Sequence, residues 1–431
     1  MTPAARLAAA IDLLVAIENA PRRPADAAAN AFFRERRYIG GGDRRAISTL
    51  IWDVLRRWRR LHWHLRDVPG GGSPRLLCGA SMILGGESVE AVRALFGGAR
   101  YAPDALTARE DAALAGLAGH LLTEAAMPRP VRLEYPDWLG PALEESFGEG
   151  LEAEMAAMEA AAPLDLRVNL LKGSREEARA ALAREGLMAA PTPLSPWGLR
   201  LDGRQPVTAA ACFRDGLVEI QDEGSQIVVA ALGARPGERV LDFCAGAGGK
   251  TLAIAMTMEN RGQIAACDVS APRLEGAVKR LRRAGVHNVE RHLLEAGDKW
   301  VKRRAGSFDR VLVDAPCSGT GTWRRNPDAR IRLTEQDLAE LRIKQAEILD
   351  RAAGLVKPGG RLVYATCSVL EAENGAQVAA FLERRPDFAA EAAGAEAVPE
   401  CQRDHARIAL TPLRHGTDGF FAAILRRSDR P

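Results

Sequence analysis

Arg239-Val-Leu-Asp-Phe-Cys-Ala-Gly-Ala-Gly-Gly-Lys250-Thr251 reads as a short apolar strand running into a glycine-rich turn and then a helix. Working outward from it, the spacing predicts strands at 239–243, 263–267, 289–294, 309–313 and 361–365. Helices are predicted between them at 251–258, 272–284, 335–355 and 373–384. Strand–helix repetition of this kind implies an α/β domain with a doubly wound parallel sheet. The apolar runs at 408–411 and 419–425, joined by Pro412 to Asp418, read as an antiparallel hairpin at the sheet edge. Ligands of such sheets gather outside the carboxyl ends of the strands.

Two familiar phosphate-binding patterns fail at the glycine turn by one residue each. A P-loop wants Gly at 244, where Cys stands, and a dinucleotide turn wants Gly at 251, where Thr stands. What remains is Asp242-x-Cys-x-Gly246-x-Gly248, an acidic strand end followed by a permissive turn. S-adenosylmethionine-dependent methyltransferases use such a turn to let backbone approach the cofactor. Asp268 follows Gly248 by 20 residues, a separation that suits a carboxylate on a ribose. Asp268 could instead cap the following helix, but Ser270 can fill that cap itself, which favours the ribose role.

Cysteines stand just past two of the predicted strands, in Arg310-Val-Leu-Val-Asp-Ala-Pro-Cys317-Ser-Gly and Arg361-Leu-Val-Tyr-Ala-Thr-Cys367-Ser. Both thiols should face the crevice of the glycine turn. Cys78, Cys212, Cys267 and Cys401 read as inert buried residues. Cys317 and Cys367 sit among small polar neighbours, with Lys250, Arg324 and Arg325 as candidates to favour a thiolate. A thiol beside a methyl donor suits methylation at carbon 5 of a pyrimidine. Addition of a thiolate to carbon 6 makes carbon 5 nucleophilic, and loss of the carbon-5 proton with expulsion of the thiol restores the ring. Asp314, three residues before Cys317, could stabilise the adduct.

The 431 residues suffice for two or three domains, and 47% apolar against 27% charged residues is a globular composition. Net charge is only +3, but in residues 1–67 thirteen Arg stand against seven Asp or Glu, a local +6. Seven cysteines without a Cys-x-x-Cys pair argue against a disulfide framework or a zinc ribbon. Asp12 interrupts the first apolar run, and no stretch reaches membrane-span length. The expectation is a cytoplasmic protein with reduced thiols, no metal and no membrane partner; oligomeric state is open. The chain divides into an all-α unit at 1–130, a small α+β module at 131–213 and the α/β domain at 214–431. Arg56, Arg57, Arg59 and Arg60, interleaved with Trp52, Trp58, Trp63, His62 and His64, have the composition of an RNA surface. At helical spacing the Trps would pack inside and the Arg face would meet solvent or RNA. Arg324, Arg325 and Arg330 are better placed to hold a target strand.

Gln221-Asp-Glu-Gly-Ser-Gln226, Cys244-Ala-Gly-Ala-Gly-Gly-Lys-Thr251, Asp314-Ala-Pro-Cys-Ser-Gly-Thr-Gly321, Arg325-Asn-Pro-Asp328, Thr366-Cys-Ser368 and Thr417-Asp-Gly-Phe-Phe421 together resemble the Nop/Sun (Fmu-type) RNA cytosine-C5 methyltransferases. The resemblance implies a Rossmann-like class I methyltransferase domain, with a NusB-like helical RNA-binding domain at 1–130 and an RRM-like module at 131–213, as in the bacterial 16S ribosomal RNA members. It implies S-adenosylmethionine bound on Cys244, Ala245, Gly246, Ala247, Gly248, Gly249 and Lys250, with Asp268 on its ribose and Arg273 beside it. Asp314 would touch both cofactor and target base. An acidic residue near the adenine is Glu295 or Asp298, a choice left open. Cys367 becomes the nucleophile, Cys317 the thiol that helps release product, and Lys250 reaches toward the reacting centre. Gly246-Ala247 departs from the Ala-Pro of most members. RNA, and 16S ribosomal RNA in particular, is the expected partner; the alternatives are a transfer-RNA methyltransferase or a non-catalytic RNA-binding assembly factor on the same fold.

Overall fold

The computed structural model describes residues 1–98, 100–203, 205–295, 297–392 and 406–429; Cys401 lies outside them. The chain forms two compact units.

The first unit comprises Met1–Glu144, Glu149–Glu159 and Trp323–Thr334. Its helices start where sequence dictates: Thr2 and Ser73 cap helices Pro3–Glu18 and Pro74–Ile83, each with Pro in the first turn. Thr107 and Glu110 form a reciprocal capping box. Leu13, Leu14, Ile47, Ile51, Leu76 and Leu77 from helices Pro3–Glu18, Gly41–Arg56 and Pro74–Ile83 lie in the core. Of the expected Arg face, Arg56, Arg57 and Arg59 are partly exposed and Arg60 turns inward. Arg60 is only 4% exposed; its Nε donates to Glu134 at 3.0 Å and its Nη2 to Glu159. Arg59 pairs with Asp137 at 2.9 Å. Arg324 and Arg330, expected to hold a target strand, are 4% and 3% exposed. Arg330 donates to the Glu134 carbonyl at 3.2 Å, and Trp323, fully buried, lies under its guanidinium. The segment is pinned by backbone as well: Trp52 Nε1 and Arg56 Nη2 donate to the carbonyls of Arg325 and Arg324, and Asp328 accepts the Ala25 amide at 3.0 Å. Burial of a guanidinium demands partners, and these take the Arg side chains away from solvent.

The second unit holds two sheets. In the smaller, β1 (Leu164–Val168), β2 (Ala189–Pro191), β3 (Gly198–Leu201) and β4 (Val218–Ile220) lie in the order β2-β3-β1-β4, all antiparallel. The expected module end at 213 thus falls short of its fourth strand, a three-residue piece too short for sequence periodicity to mark. The larger sheet contains β5 (Arg239–Asp242), β6 (Gln263–Asp268), β7 (Val289–Leu293), β8 (Phe308–Asp314), β9 (Val356–Thr366), β10 (Phe388–Ala390), β11 (Arg407–Leu410) and β12 (Phe420–Arg427). Its order is β10-β12-β9-β8-β5-β6-β7, with β11 on β12. This is the Rossmann-like class of fold expected from sequence. β5 through β9 pair in parallel; β12 runs antiparallel to β9, and β11 pairs with it as the expected hairpin. After β7 the chain crosses to the other side of β5, so the order reverses between β5 and β8. Such a switch point opens a crevice at the strand carboxyl ends.

Candidate functional site

Three neighbouring strand ends deliver the site. β5 ends at Asp242, β8 at Asp314 and β9 at Thr366, and the three pair directly in the order β5-β8-β9. A cavity of about 580 Å³ opens above them, lined by Asp242 to Ala247, Gly249, Lys250, Asp268, Arg273, Asp314, Cys317 and Cys367 among others. The two thiols meet there with Sγ atoms 3.4 Å apart. One face of helix Glu335–Ala353 closes the cavity with Lys344, Glu347, Ile348 and Arg351. Their spacing of three and four is a single helix face, a signal that the sequence carried and the motif reading did not use.

The glycine turn has the backbone its residues allow. Gly246 and Gly248 take φ of +55° and +80°, and a Cβ at Gly246 would meet nothing within 4 Å, so the turn is open toward the cavity. Asp268 accepts the Gly246 amide and the Ser270 amide, both at 2.8 Å. Ser270 makes no side-chain cap bond, so the Ser cap expected from sequence is absent and Asp268 serves the turn and the helix start together. Of the remaining expected residues, Glu295 is exposed and outside the lining, where Leu294 stands instead. Asp298 is engaged with His292 and the Trp300 amide.

Lys250 and Asp314 form an ion pair at 2.6 Å, the ammonium only 11% exposed. Burial acts to lower the Lys250 pKa, but the charge and hydrogen bond of Asp314, and the nearby Cys367 and Asp242, hold it above the usual lysine value. Cys317 is in the opposite field. Its hydrogen bond to Cys367, burial, and the charges of Cys367 and Glu373 raise its thiol well above the ordinary value. Burial lifts Asp242 to about 7 against the Thr251 hydroxyl that bonds it. Its other oxygen, Oδ1, has no partner among the described residues. An orphaned acceptor in the wall, a glycine turn with room above it and a cavity of this size fit S-adenosylmethionine.

The thiol loops are held by backbone contacts. Gly321 donates its amide to the Cys367 carbonyl at 2.9 Å and accepts from the Gly419 amide at 2.8 Å. A Cβ at Gly321 would stand 2.3 Å from the Gly419 carbonyl oxygen, a backbone clash no rotamer relieves. Gly321→Ala should therefore lower kcat by about 10–100-fold through a shift of the Cys367 loop, with the Kd for S-adenosylmethionine unchanged; calorimetry beside steady-state kinetics checks both. Among the described residues there is no group of three His, Cys, Asp or Glu able to hold a metal ion, and no helix is long and apolar enough to cross a membrane.

Residues 229–426 match the family model described as 16S rRNA methyltransferase RsmB/F, and residues 135–208 match the ferredoxin-like domain of RsmF/B-like methyltransferases. The ribosomal RNA small subunit methyltransferase B of Klebsiella pneumoniae subsp. pneumoniae is 38% identical over 298 residues, 69% of this chain and 67% of that protein. The probable enzyme of the same name from Synechocystis is 36% identical over 299 residues, 68% of this chain and 67% of that protein. The solved structure of PH0851 superposes with a TM-score of 0.80 at 25% identity, covering 99% of both chains. A methyltransferase homolog protein from Pyrococcus horikoshii gives 0.59 at 32% identity, covering 69% of this chain and 97% of that one.

Proposed function

Because the chain belongs to the 16S rRNA methyltransferase RsmB/F family, we propose that it methylates carbon 5 of a cytosine in 16S ribosomal RNA through a transient bond between Cys367 and carbon 6. The pair of thiols 3.4 Å apart in one cavity with the glycine turn carries this reading. S-adenosylmethionine, held by 244–250, Asp242, Asp268 and Arg273, supplies the methyl group as an electrophile. Cys367 interacts electrostatically with Lys250 across the same cavity. The hydrogen bond to Cys367, burial and the Glu373 charge hold the Cys317 proton, which suits the second thiol rather than the attacking one. Addition of Cys367 to carbon 6 leaves carbon 5 electron-rich. Asp314, ion-paired with Lys250 and lining the cavity, suits a role as acceptor for the cytosine amino group as charge develops on the ring. After methyl transfer the carbon-5 proton is lost to solvent, the bond between carbon 6 and Cys367 breaks with Cys317 as hydrogen-bond donor to the departing sulfur, and the aromatic ring returns.

The first 130 residues and the small sheet are assigned to RNA binding in the same reading, with 16S ribosomal RNA favoured over transfer RNA by the relatives' names. Incubation with labelled S-adenosylmethionine and in vitro transcripts of 16S ribosomal RNA and of transfer RNAs, followed by nucleoside analysis, tests it. 5-Methylcytidine in the 16S transcript is the expected product. Label in transfer RNA alone, or in any other nucleoside, would replace the substrate or the chemistry.

A further inference from the structure

We propose that Glu373 is the positioning residue that keeps the Cys317 loop in register with the Cys367 loop, so that the second thiol reaches the first while that one is bonded to the base. The inference rests on the thiol roles given above. Glu373 is completely buried in the short turn Glu371–Glu373, six residues beyond Cys367. Its Oε1 accepts the Ser318 amide at 2.9 Å and Gln345 Nε2 at 2.8 Å, and its Oε2 accepts the Ser318 hydroxyl at 2.5 Å. An ionised carboxylate is an acceptor only, and these three donors fit it; no ammonium or guanidinium pairs with it among the described residues. A buried charge held by neutral donors alone is costly, and all but one of its side-chain bonds go to the residue next to Cys317.

The network continues to the other thiol. Ser318 Oγ lies 3.3 Å from Ser368 Oγ, which lies 3.0 Å from Thr320 Oγ1, and Thr320 Oγ1 accepts the Val369 amide at 3.0 Å. The Glu373 carbonyl accepts the Tyr364 hydroxyl at 2.7 Å, tying the turn to β9 itself. Residues flanking both thiols are thus joined through one carboxylate. Cys317 assists release by donating a hydrogen bond to the sulfur that leaves carbon 6, so the two sulfurs have to stay close. Glu373 is outside the cavity lining; it acts through Ser318.

The test compares wild type, Cys317→Ala, Glu373→Gln and Ser318→Ala on a 16S ribosomal RNA transcript with labelled S-adenosylmethionine, following turnover and the covalent complex on denaturing gels. In Glu373→Gln an amide group faces donors where an oxygen stood. It should lower kcat about 10²-fold, leave KM for RNA and donor within about twofold, and accumulate methylated covalent RNA as Cys317→Ala does. Ser318→Ala, which cuts the hydroxyl link and keeps the amide one, should accumulate the same complex to a smaller extent, and it decides the matter if Glu373→Gln does not fold. Turnover without accumulation in the folded variants, or a loss confined to KM, overturns the positioning role. Failure of wild type to form any complex on 5-fluorocytosine RNA refutes the thiol assignments beneath it and removes this inference with them, so the two failures read differently.

Discussion

Cys367→Ala is expected to lower methyl transfer by about 10⁴-fold or more and to yield no denaturation-resistant complex with 5-fluorocytosine RNA, whereas wild type is captured on it. Fluorine at carbon 5 cannot leave as a proton does, so the reaction halts with sulfur still bonded to carbon 6. The size of the loss follows from chemistry: carbon 5 of an intact cytosine is a poor nucleophile, and no other thiol takes the place of Cys367. Cys317 stands 3.4 Å away, but its proton is held by the Cys367 hydrogen bond, burial and the Glu373 charge. Cys317→Ala should behave oppositely, with capture retained and adduct building up on ordinary RNA. If instead Cys317→Ala abolished capture and Cys367→Ala kept it, the roles of the two sulfurs would be exchanged.

The second large effect concerns stability. Glu134 is 1% exposed in the helical unit, and its carboxylate accepts the Arg59 and Arg60 amides at 2.9 and 3.0 Å as well as Arg60 Nε. Glu134→Ala would leave the Arg60 guanidinium with Glu159 and the Thr123 hydroxyl and leave two amides unpaired. Removing one partner of a buried ion pair costs about 3–5 kcal/mol, so this unit should lose that much. Hydrogen exchange is the appropriate measurement in a protein of two units, because it resolves local opening. Faster exchange at the Arg59 and Arg60 amides and through helix Gly41–Arg56 is expected, with β5 and β8 unaffected. Unchanged protection at those amides would mean that the cluster contributes little.

How much could be read from the chain depends on what each residue type reveals locally. The parallel strands were legible because strands buried on both faces are continuous apolar runs; Val311, Leu312 and Val313 in β8 are all fully buried. The convergence of Cys317, Cys367, Lys250 and Asp314 was legible because strand ends in such a sheet share one side. Helix Glu223–Leu232 was not, since all ten of its residues are buried and no exposed face sets an amphipathic period. Its boundary signals, Asp222 as cap and Gly233 in the left-handed region, were present and unused. The predicted helix at 373–384 starts later, at Gly375, because Glu373 faces inward to Ser318. Nothing local distinguishes that glutamate from a surface one; only the tertiary position of Ser318 does. The same holds for Arg60 and Arg330, whose burial depends on acidic and carbonyl partners far away in sequence.

Trp323–Thr334 counts among the residues of the helical unit although the chain on either side of it belongs to the other. Gene dissection meets that fact directly. A fragment starting after position 159 would still encode this twelve-residue stretch, but without the residues that accept and donate its bonds: Ala25, Trp52, Arg56 and Glu134. Trp323 and Arg330 would then lie bare, an aromatic surface and a cation stripped of their surroundings, inviting aggregation. Expression trials aimed at a minimal catalytic piece therefore do better to keep the amino-terminal helices than to trim at the apparent border.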